Sequence, residues 1–274
     1  MPNIYNMSVL SRSRLRVHYN TANTDHTTHF ITFANTGFMK PTRILAEAEA
    51  FPFATRRALT EHDLGAFGEK HAAFIASNSR GYGLWIWKPK VIFDTLMTLN
   101  DGERLVYCDA GMHLNAKGIE RYNYYERILD TVDIVTFSLN DAYKSQHFVK
   151  RDAINAYYPE FASQWTRYCY AGVMMLKKTP ATIALVTDWL SLCEVYHFLD
   201  TSPSIAPELP AFKGNDCDNG LFNMCLAKYK ISHAIYPDET NIYLRNGDQY
   251  YAATPRDWAR LDNFPFQCRR LRKT

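Results

Sequence analysis

Two spacings of apolar residues alternate along the chain. Residues 29–35 alternate apolar with polar positions and are rich in β-branched and aromatic types, which predicts a strand. Residues 91–99 instead repeat their apolar positions at helical spacing, which predicts a helix with Pro89 in its first turn. The same patterns predict further strands at 104–108, 133–139, 171–178 and 231–236, and further helices at 43–51, 118–129, 181–196 and 218–229. Strands that alternate with helices indicate an α/β fold with a mostly parallel central sheet flanked by helices.

The strand predicted at 104–108 leads into the first candidate site. Its continuous apolar character is typical of a central strand covered on both faces, and it ends abruptly in Asp109-Ala110-Gly111. Ligands of open α/β sheets bind beyond the carboxyl ends of the strands. Asp109 can therefore bind Mg²⁺ or Mn²⁺, which prefer oxygen ligands, while Gly111 lets a ligand approach the backbone. A ligand-free turn is equally compatible with the pattern, because Asp-x-Gly is common in turns.

A second carboxylate, Asp218, comes at the start of the helix predicted at 218–229. Asp218 or Asn219 would cap that helix by accepting free N–H groups of its first turn, and the local sequence favours this role. The alternative is that Asp218 is a catalytic base or an acceptor-binding group at the mouth of the helix.

Two cations belong to the same candidate chemistry. Arg80 precedes Gly81 and Gly83, which predict a flexible loop, and Lys88 follows closely. Either side chain could face a phosphate, because a cation stabilises the negative charge that develops on a diphosphate leaving group.

Small residues and histidines give weaker signals. Ala171 and Gly172 can line a sugar pocket or simply permit tight packing at the edge of the sheet. His113 and His233 can bind a metal, but neither has a zinc-site spacing, and a structural role is favoured for both.

Length and composition limit the class of protein. The 274 residues, 47% of them hydrophobic, suffice for one large α/β domain or two small ones, and a net charge of +3 does not indicate a nucleic-acid partner. No apolar run approaches the roughly 18 residues of a transmembrane segment, and the N-terminal basic residues follow the apolar piece, unlike those of a secretory signal. We therefore expect a cytoplasmic protein, in the host cytoplasm if the source is viral, with its six cysteines reduced and mostly buried.

The order of these motifs resembles that in GT-A glycosyltransferases of bacterial polysaccharide gene clusters and large DNA viruses. The motifs are Gly-Tyr-Gly-Leu-Trp-Ile-Trp-Lys-Pro at 81–89, Tyr-Cys-Asp-Ala-Gly at 107–111 and Asp-Asn at 218–219. The resemblance covers roughly residues 29–240, and the combination of Trp-Lys-Pro with Asp-Ala-Gly makes it specific.

The resemblance implies a domain organisation. A single Rossmann-like GT-A domain would span 29–274 and follow an N-terminal arm at 1–28. Its nucleotide-sugar half would span about 29–140 and its acceptor half about 141–250, with a C-terminal tail beyond.

The resemblance also implies roles for individual residues. Asp109 would hold Mn²⁺ or Mg²⁺, although Gly111 stands where the family's Asp-x-Asp signature has its second acid. Three alternatives follow: Asp109 holds the metal by itself, another group such as His113 or His233 helps, or the activity depends only weakly on a metal. Asp218 would lie nearest to the reacting centre. The residues expected to bind the nucleotide sugar are Phe33, Ala34, Asn35, Arg80, Lys88, Asp109, Ala110 and Gly111, and those expected in the acceptor or sugar pocket are Ala171, Gly172 and Asn219.

The predicted activity is transfer of a hexose or pentose from a nucleotide-diphosphate donor, with UDP as the expected nucleotide, to a hydroxyl of a glycan acceptor. A sugar-1-phosphate nucleotidyltransferase is an alternative, but residues 36–43 lack the Gly-rich basic loop that would hold a triphosphate. A non-catalytic glycan-binding protein is another alternative, suggested by the 14% aromatic content.

Overall fold

The computed structural model describes residues 27–37, 40–139, 144–164, 166–231, 233–237, 239–241 and 254–269. The expected N-terminal arm at 1–28 lies outside the described residues, except for its last two positions.

Helices and strands alternate along most of the chain. The strands are β1 (Thr28–Phe33), β2 (Thr55–Leu59), β3 (Arg104–Cys108), β4 (His113–Leu114), β5 (Ile134–Ser138), β6 (Val173–Lys177), β7 (His233–Pro237) and β8 (Phe266–Gln267). The α-helical segments are α1 (Thr42–Ala48), α2 (Gly65–Lys70), α3 (Ala72–Ser77), α4 (Gly81–Leu84), α5 (Trp87–Thr98), α6 (Ile119–Ile128), α7 (Arg151–Tyr157), α8 (Pro180–Cys193), α9 (Tyr196–Leu199), α10 (Cys217–Tyr229) and α11 (Pro255–Trp258). Short 3₁₀ helices lie at Glu61–Leu64, Ala116–Gly118, Ser145–Phe148, Pro159–Ser163 and Ala259–Leu261.

Within the described chain, six strands form the central sheet in the order β2-β1-β3-β6-β5-β7. β1 pairs in parallel with β2 and β3, and β5 pairs in parallel with β7, whereas β6 is antiparallel to both of its neighbours. The predicted α/β class with a mostly parallel sheet is therefore confirmed. The strand β2 was not predicted, because its Thr-Arg-Arg-Ala-Leu sequence is too polar to indicate a strand. β2 is an edge strand of the sheet, and its arginines lie partly in solvent.

Both faces of the sheet are covered. Leu105 and Tyr107 of β3 pack in one apolar cluster with residues of α5, α8 and α10, while Val106 and Cys108 pack in a second cluster with residues of α1 and α6. Because successive side chains of a strand point to opposite faces, Asp109 continues the face of Tyr107. That face is the one covered by α5 and α10.

The C-terminal part of the described chain returns to the segment after Asp109. β8 pairs with β4, which places Phe266 opposite Leu114. Gly118 lies against this returning segment so closely that a Cβ there would come within 2.3 Å of the backbone of Phe264 and Pro265. The chain beyond the Asp109 turn is thus fixed from both sides.

The cysteine prediction is confirmed, since all six cysteines are free and buried. None of the helices in the described part of the chain has the length and apolar character needed to cross a bilayer.

Candidate functional site

Three charged side chains that are far apart in the sequence meet at the carboxyl end of β3. The ammonium nitrogen of Lys88, at the start of α5, lies 3.2 Å from Oδ1 of Asp109 and 3.3 Å from Oδ2 of Asp218 in the first turn of α10. Lys88 also donates a hydrogen bond of 3.4 Å to the carbonyl of Ala171. We call Lys88, Asp109 and Asp218 the charged triad.

Burial differs within the charged triad. The side chains of Lys88 and Asp218 are 4% and 3% exposed, whereas that of Asp109 is 18% exposed. The contact between Lys88 and Asp218 has an ion-pair distance but not hydrogen-bond geometry, so Oδ2 of Asp218 is a buried oxygen without a hydrogen bond from the described residues. Asp109 is therefore the carboxylate of the triad that a ligand can reach first.

The charges of the triad shift each other's pKa. Burial alone would lower the pKa of Lys88, but the neighbouring charges of Asp109 and Asp218 outweigh burial and raise it. Burial raises the pKa of Asp218 to about 7; the positive charge of Lys88 opposes that rise, and the negative charges of Asp216 and Asp109 add to it. The triad is consequently neutral when Asp218 is protonated and carries one net negative charge when Asp218 is ionised.

Aromatic side chains surround the triad. The Lys88 ammonium lies 5.6 Å from the ring centroid of Tyr107 and 5.9 Å from that of Trp85, within range of cation–π attraction. The hydroxyls of Tyr107 and Tyr170 donate to the two oxygens of Asp109, at 2.7 and 3.3 Å. These contacts orient the Asp109 carboxylate.

Gly172 makes room for Tyr170. A Cβ at Gly172 would come within 2.1 Å of the Tyr170 ring, so no side chain fits there while the tyrosine reaches Asp109. The backbone N–H of Asp109 also donates to the Gly172 carbonyl at 2.8 Å. The predicted pocket residue Gly172 therefore lies next to Asp109, and its smallness serves the placement of Tyr170.

Two asparagines of α10 bind the backbone of the segment that leads into β6. Asn219 accepts from the N–H of Ala171 at 2.6 Å, and Asn223 accepts from the N–H of Cys169 at 2.7 Å and donates to the Cys169 carbonyl at 2.9 Å. Asn219, expected in the acceptor or sugar pocket, thus binds the backbone at Ala171 with its side-chain oxygen.

Replacing Asn223 with alanine is expected to destabilise the protein by about 1–3 kcal/mol for each of the two Cys169 backbone groups left buried and unpaired. Urea denaturation measures the loss. Asn78→Ala is the matched control, because Asn78 is only half-buried and its amide donates to the Phe74 carbonyl of α3, the helix that ends at the preceding residue. An equal loss in the two variants would contradict the assigned role of Asn223.

The helix cap favoured from local sequence is wrong. α10 begins at Cys217, its N-cap residue is Asp216, and no side chain caps it by a hydrogen bond. The Asp218 side chain instead contacts Lys88, while Asp216 accepts from the Tyr168 hydroxyl and from the Asn219 amide.

In place of the flexible loop expected around Gly81 and Gly83, the structure has the short segment α4, whose backbone is left-handed rather than a regular α-helix. Gly81, Tyr82, Gly83, Leu84 and Trp85 all have positive φ, between 54° and 82°. Each of the three non-glycine residues costs roughly 1–2 kcal/mol in this conformation. Strain of this size is typical of functional sites, and the turn leads directly into α5 and Lys88.

The remaining residues expected to contact the donor lie around this turn. Phe33 stacks on Trp87 with ring centroids 3.8 Å apart, and the indole N–H of Trp87 donates to the Gly81 carbonyl at 2.9 Å. Arg80 is exposed, and its guanidinium lies 5.1 Å from the Trp85 ring centroid. Trp85 therefore contacts both cations that the sequence singled out, Arg80 and Lys88.

The other two positions at the end of β1 differ in exposure. Ala34 is buried and donates its N–H to the Leu59 carbonyl at 3.0 Å, whereas Asn35 is half-buried. Asn35 is thus the more accessible of the two to a ligand.

The residues at this site can hold a divalent ion through a single protein ligand, the carboxylate of Asp109. Asp109 supplies a partly exposed carboxylate, the oxygen donor that Mg²⁺ and Mn²⁺ prefer, and such ions often use only one or two carboxylates together with substrate phosphates and water. Among the described residues, no three His, Cys, Asp or Glu side chains converge on a common point. His113 binds Glu47 at 2.9 Å and His233 binds the Ile231 carbonyl at 2.6 Å, so both histidines are engaged elsewhere.

Sequence reasoning missed the residues that shape the Asp109 turn. Arg43 of α1 donates to the carbonyls of Ala110 and Met112, both at 2.8 Å, and so fixes the backbone after Asp109. Tyr107 was predictable, because it lies two residues before Asp109 and a strand places such pairs on one face. Arg43 gave no comparable signal, since its contact spans 67 residues of sequence.

Comparison with protein-family models and with curated proteins finds no match. The structure is similar to a glycosyltransferase involved in glycosylation of the major capsid of PBCV-1, with 9% identity, a TM-score of 0.47 and coverage of 88% of this chain and 92% of that one. It is also similar to mouse xyloside xylosyltransferase 1 (10% identity, TM-score 0.44, coverage 88% and 96%) and to the bifunctional glycosyltransferase WbbM (10%, 0.45, 89% and 46%). With only 9–10% sequence identity, these similarities concern the fold, and the chemistry of this chain is argued from its own side chains.

Proposed function

We propose that the protein transfers a sugar from a nucleotide-diphosphate donor, with UDP as the expected nucleotide, to a hydroxyl of a glycan. The observation that carries this proposal is the charged triad, which lies at the carboxyl end of a central strand, where α/β sheets bind their ligands. Two of its members come from the Trp-Lys-Pro and Asp-Ala-Gly motifs, and the third is the acid of the late Asp-Asn motif.

The donor would bind at the ends of β1 and β3, in the half of the chain from about 29 to 140. Its nucleoside would lie near Phe33, Ala34 and Asn35, and its diphosphate near Ala110 and Gly111. Arg80 is exposed, whereas Lys88 is buried and compensates the two carboxylates. Arg80 would therefore contact a phosphate directly, and Lys88 would act on the diphosphate through its charge.

A bound Mn²⁺ or Mg²⁺ would be held by Asp109 and would supply positive charge to neutralise the diphosphate. The Tyr107 and Tyr170 hydroxyls would keep the Asp109 carboxylate oriented for this role.

Asp218 would act at the sugar. In an inverting reaction the acceptor oxygen bonds to the anomeric carbon while the bond from that carbon to the phosphate oxygen breaks, and Asp218 takes the proton of the acceptor hydroxyl. In a retaining reaction Asp218 would instead stabilise the oxocarbenium-like state. Ala171, Gly172 and Asn219 would lie at the acceptor side of the same centre.

The pH dependence of transfer is expected to follow Asp218. Because a base must be ionised and the pKa of Asp218 is about 7, kcat/KM is expected to fall about tenfold per pH unit below that value and to reach a plateau above it. Asp216→Asn removes a charge that raises this pKa, so the midpoint is expected to move to lower pH. A flat profile between pH 5 and 8 would rule out Asp218 as the base.

A thermal-shift panel of UDP-, GDP- and TDP-sugars, with and without Mn²⁺, tests the proposed function. A ligand that binds only the folded state at 100 times its Kd adds about 2.7 kcal/mol of stability, and we expect this from a UDP-sugar with wild-type protein but not with Asp109→Asn. Hydrolysis of the stabilising donor is then measured. Absence of both stabilisation and hydrolysis with every donor would contradict the proposal.

A further inference from the structure

We propose that the loop from 200 to 216 forms a separate binding pocket for a neutral oligosaccharide. The pocket has a volume of about 620 Å³ and is lined by residues between Thr201 and Asn215. This volume lies within the range of small-molecule sites.

Buried and charged groups hold the start of this loop. The ammonium group of Lys150 is buried and donates to the His197 carbonyl at 2.6 Å and to the Ser202 hydroxyl at 3.0 Å, and it also pairs with the Asp200 carboxylate. The charged triad does not contact these groups. Their structural effect is to fix the first residues of the pocket.

Asp152 holds the middle of the loop. Its carboxylate accepts from the backbone N–H groups of Ile205 and Ala206, at 2.6 and 2.9 Å, and from His197 at 2.7 Å. Burial alone would raise the pKa of Asp152, but these hydrogen bonds outweigh it and lower the pKa to about 2, so the carboxylate is ionised at neutral pH.

Asn215 closes the loop. Its amide nitrogen lies 2.7–3.1 Å from the carbonyls of Phe198, Leu199 and Asp200, which brings the two ends of the loop together. Compact loops with joined ends are frequently functional, and a pocket fixed at both ends and in the middle is formed before its ligand arrives.

The lining selects the class of ligand. Glu208 is the single charged residue among the described residues that line the pocket, and both its oxygens already accept hydrogen bonds, from the Ser204 hydroxyl and the Arg151 N–H. The negative charge of Glu208 would repel an anion, and the two hydrogen bonds hold its carboxylate in a fixed position. The other lining groups combine hydroxyls with apolar surfaces such as Pro203 and Phe212. Hydroxyls and C–H faces occur together in neutral saccharides.

The loop runs directly into the candidate site. Asn215 precedes Asp218 by three residues, so their Cα atoms are at most about 11 Å apart. A saccharide in the pocket would thus lie beside the stretch of chain that leads into Asp218. That it is the acceptor rests on the proposed function; that the pocket binds a neutral saccharide does not.

The buried cysteines permit a site-specific test. Because all six native thiols are buried, Ile205→Cys at a position 90% exposed and Met97→Cys at a position 52% exposed each introduce one accessible thiol. Each variant is labelled with fluorescein maleimide, which blocks the pocket in the first conjugate and leaves it open in the second. Both conjugates are applied to one array of immobilised neutral and acidic glycans.

We expect the Met97→Cys conjugate to bind a set of neutral glycans and the Ile205→Cys conjugate to bind them at least about tenfold more weakly. The inference is overturned if the open conjugate binds no neutral glycan, or if both conjugates bind equally. Donor hydrolysis by the Met97→Cys conjugate tests the proposed function separately, so failure of one can be told from failure of the other.

Discussion

Lys88→Met is expected to destabilise the protein by about 3–5 kcal/mol, the usual cost of removing one partner from a buried ion pair. The substitution keeps a long apolar chain but leaves the carboxylates of Asp109 and Asp218 in a buried site without their counter-charge. Urea denaturation at pH 8, where Asp218 is ionised in the wild type, measures the loss.

Lys90→Met is the matched control on the same helix. Lys90 pairs with the half-exposed Asp94 four residues along, a type of pair that contributes only about 0.3–0.5 kcal/mol. Adding Asp218→Asn to Lys88→Met is expected to restore part of the lost stability, because it removes one of the uncompensated charges. Equal midpoints for the Lys88 and Lys90 variants would show that the buried lysine does not stabilise the site.

Asp218→Asn is expected to lower transfer by about 10²–10⁴-fold, the range of general-base catalysis. The amide keeps the shape of the side chain and removes its ability to take a proton. Donor affinity should change only a few-fold, because Asp109 rather than Asp218 is the exposed carboxylate of the triad. Initial rates of transfer and calorimetric titration with the donor separate the two effects.

Asp94→Asn is the control for this prediction, because Asp94 is a half-exposed carboxylate that pairs only with Lys90 among the contacts described for it. It should leave both rate and affinity unchanged. Unchanged turnover in Asp218→Asn would remove Asp218 from the mechanism, and a lost donor affinity would instead assign it to binding.

The order of strands and helices was predictable because the spacing of apolar residues depends on which faces of a helix or strand are buried. β3 was predicted with its observed bounds, since both of its faces are covered and all five residues are buried. β2 was not predicted, because an edge strand that is partly exposed to solvent carries polar residues, here two arginines, and such a sequence is also typical of a loop. The direction of β6, antiparallel within an otherwise parallel sheet, has no signature in its own residues.

The candidate site was predictable in its parts but not in its assembly. The motifs named Lys88, Asp109 and Asp218 individually, yet contact between them depends on how α5 and α10 pack on the sheet. The left-handed turn at 81–85 could not be predicted from the sequence either, because Tyr82, Leu84 and Trp85 adopt positive φ only where the surrounding fold forces them to. The local sequence also favoured a helix cap at Asp218, because the residues around Asp218 do not show that Lys88, 130 positions earlier in the chain, lies against it.

The most direct test is a crystal structure with a non-hydrolysable UDP-sugar and Mn²⁺, located by its anomalous scattering. We expect the ion in contact with Asp109, and the diphosphate between it and Arg80, with the anomeric carbon facing Asp218. A diphosphate bound away from the carboxyl end of β3, with the ion not in contact with Asp109, would contradict the account.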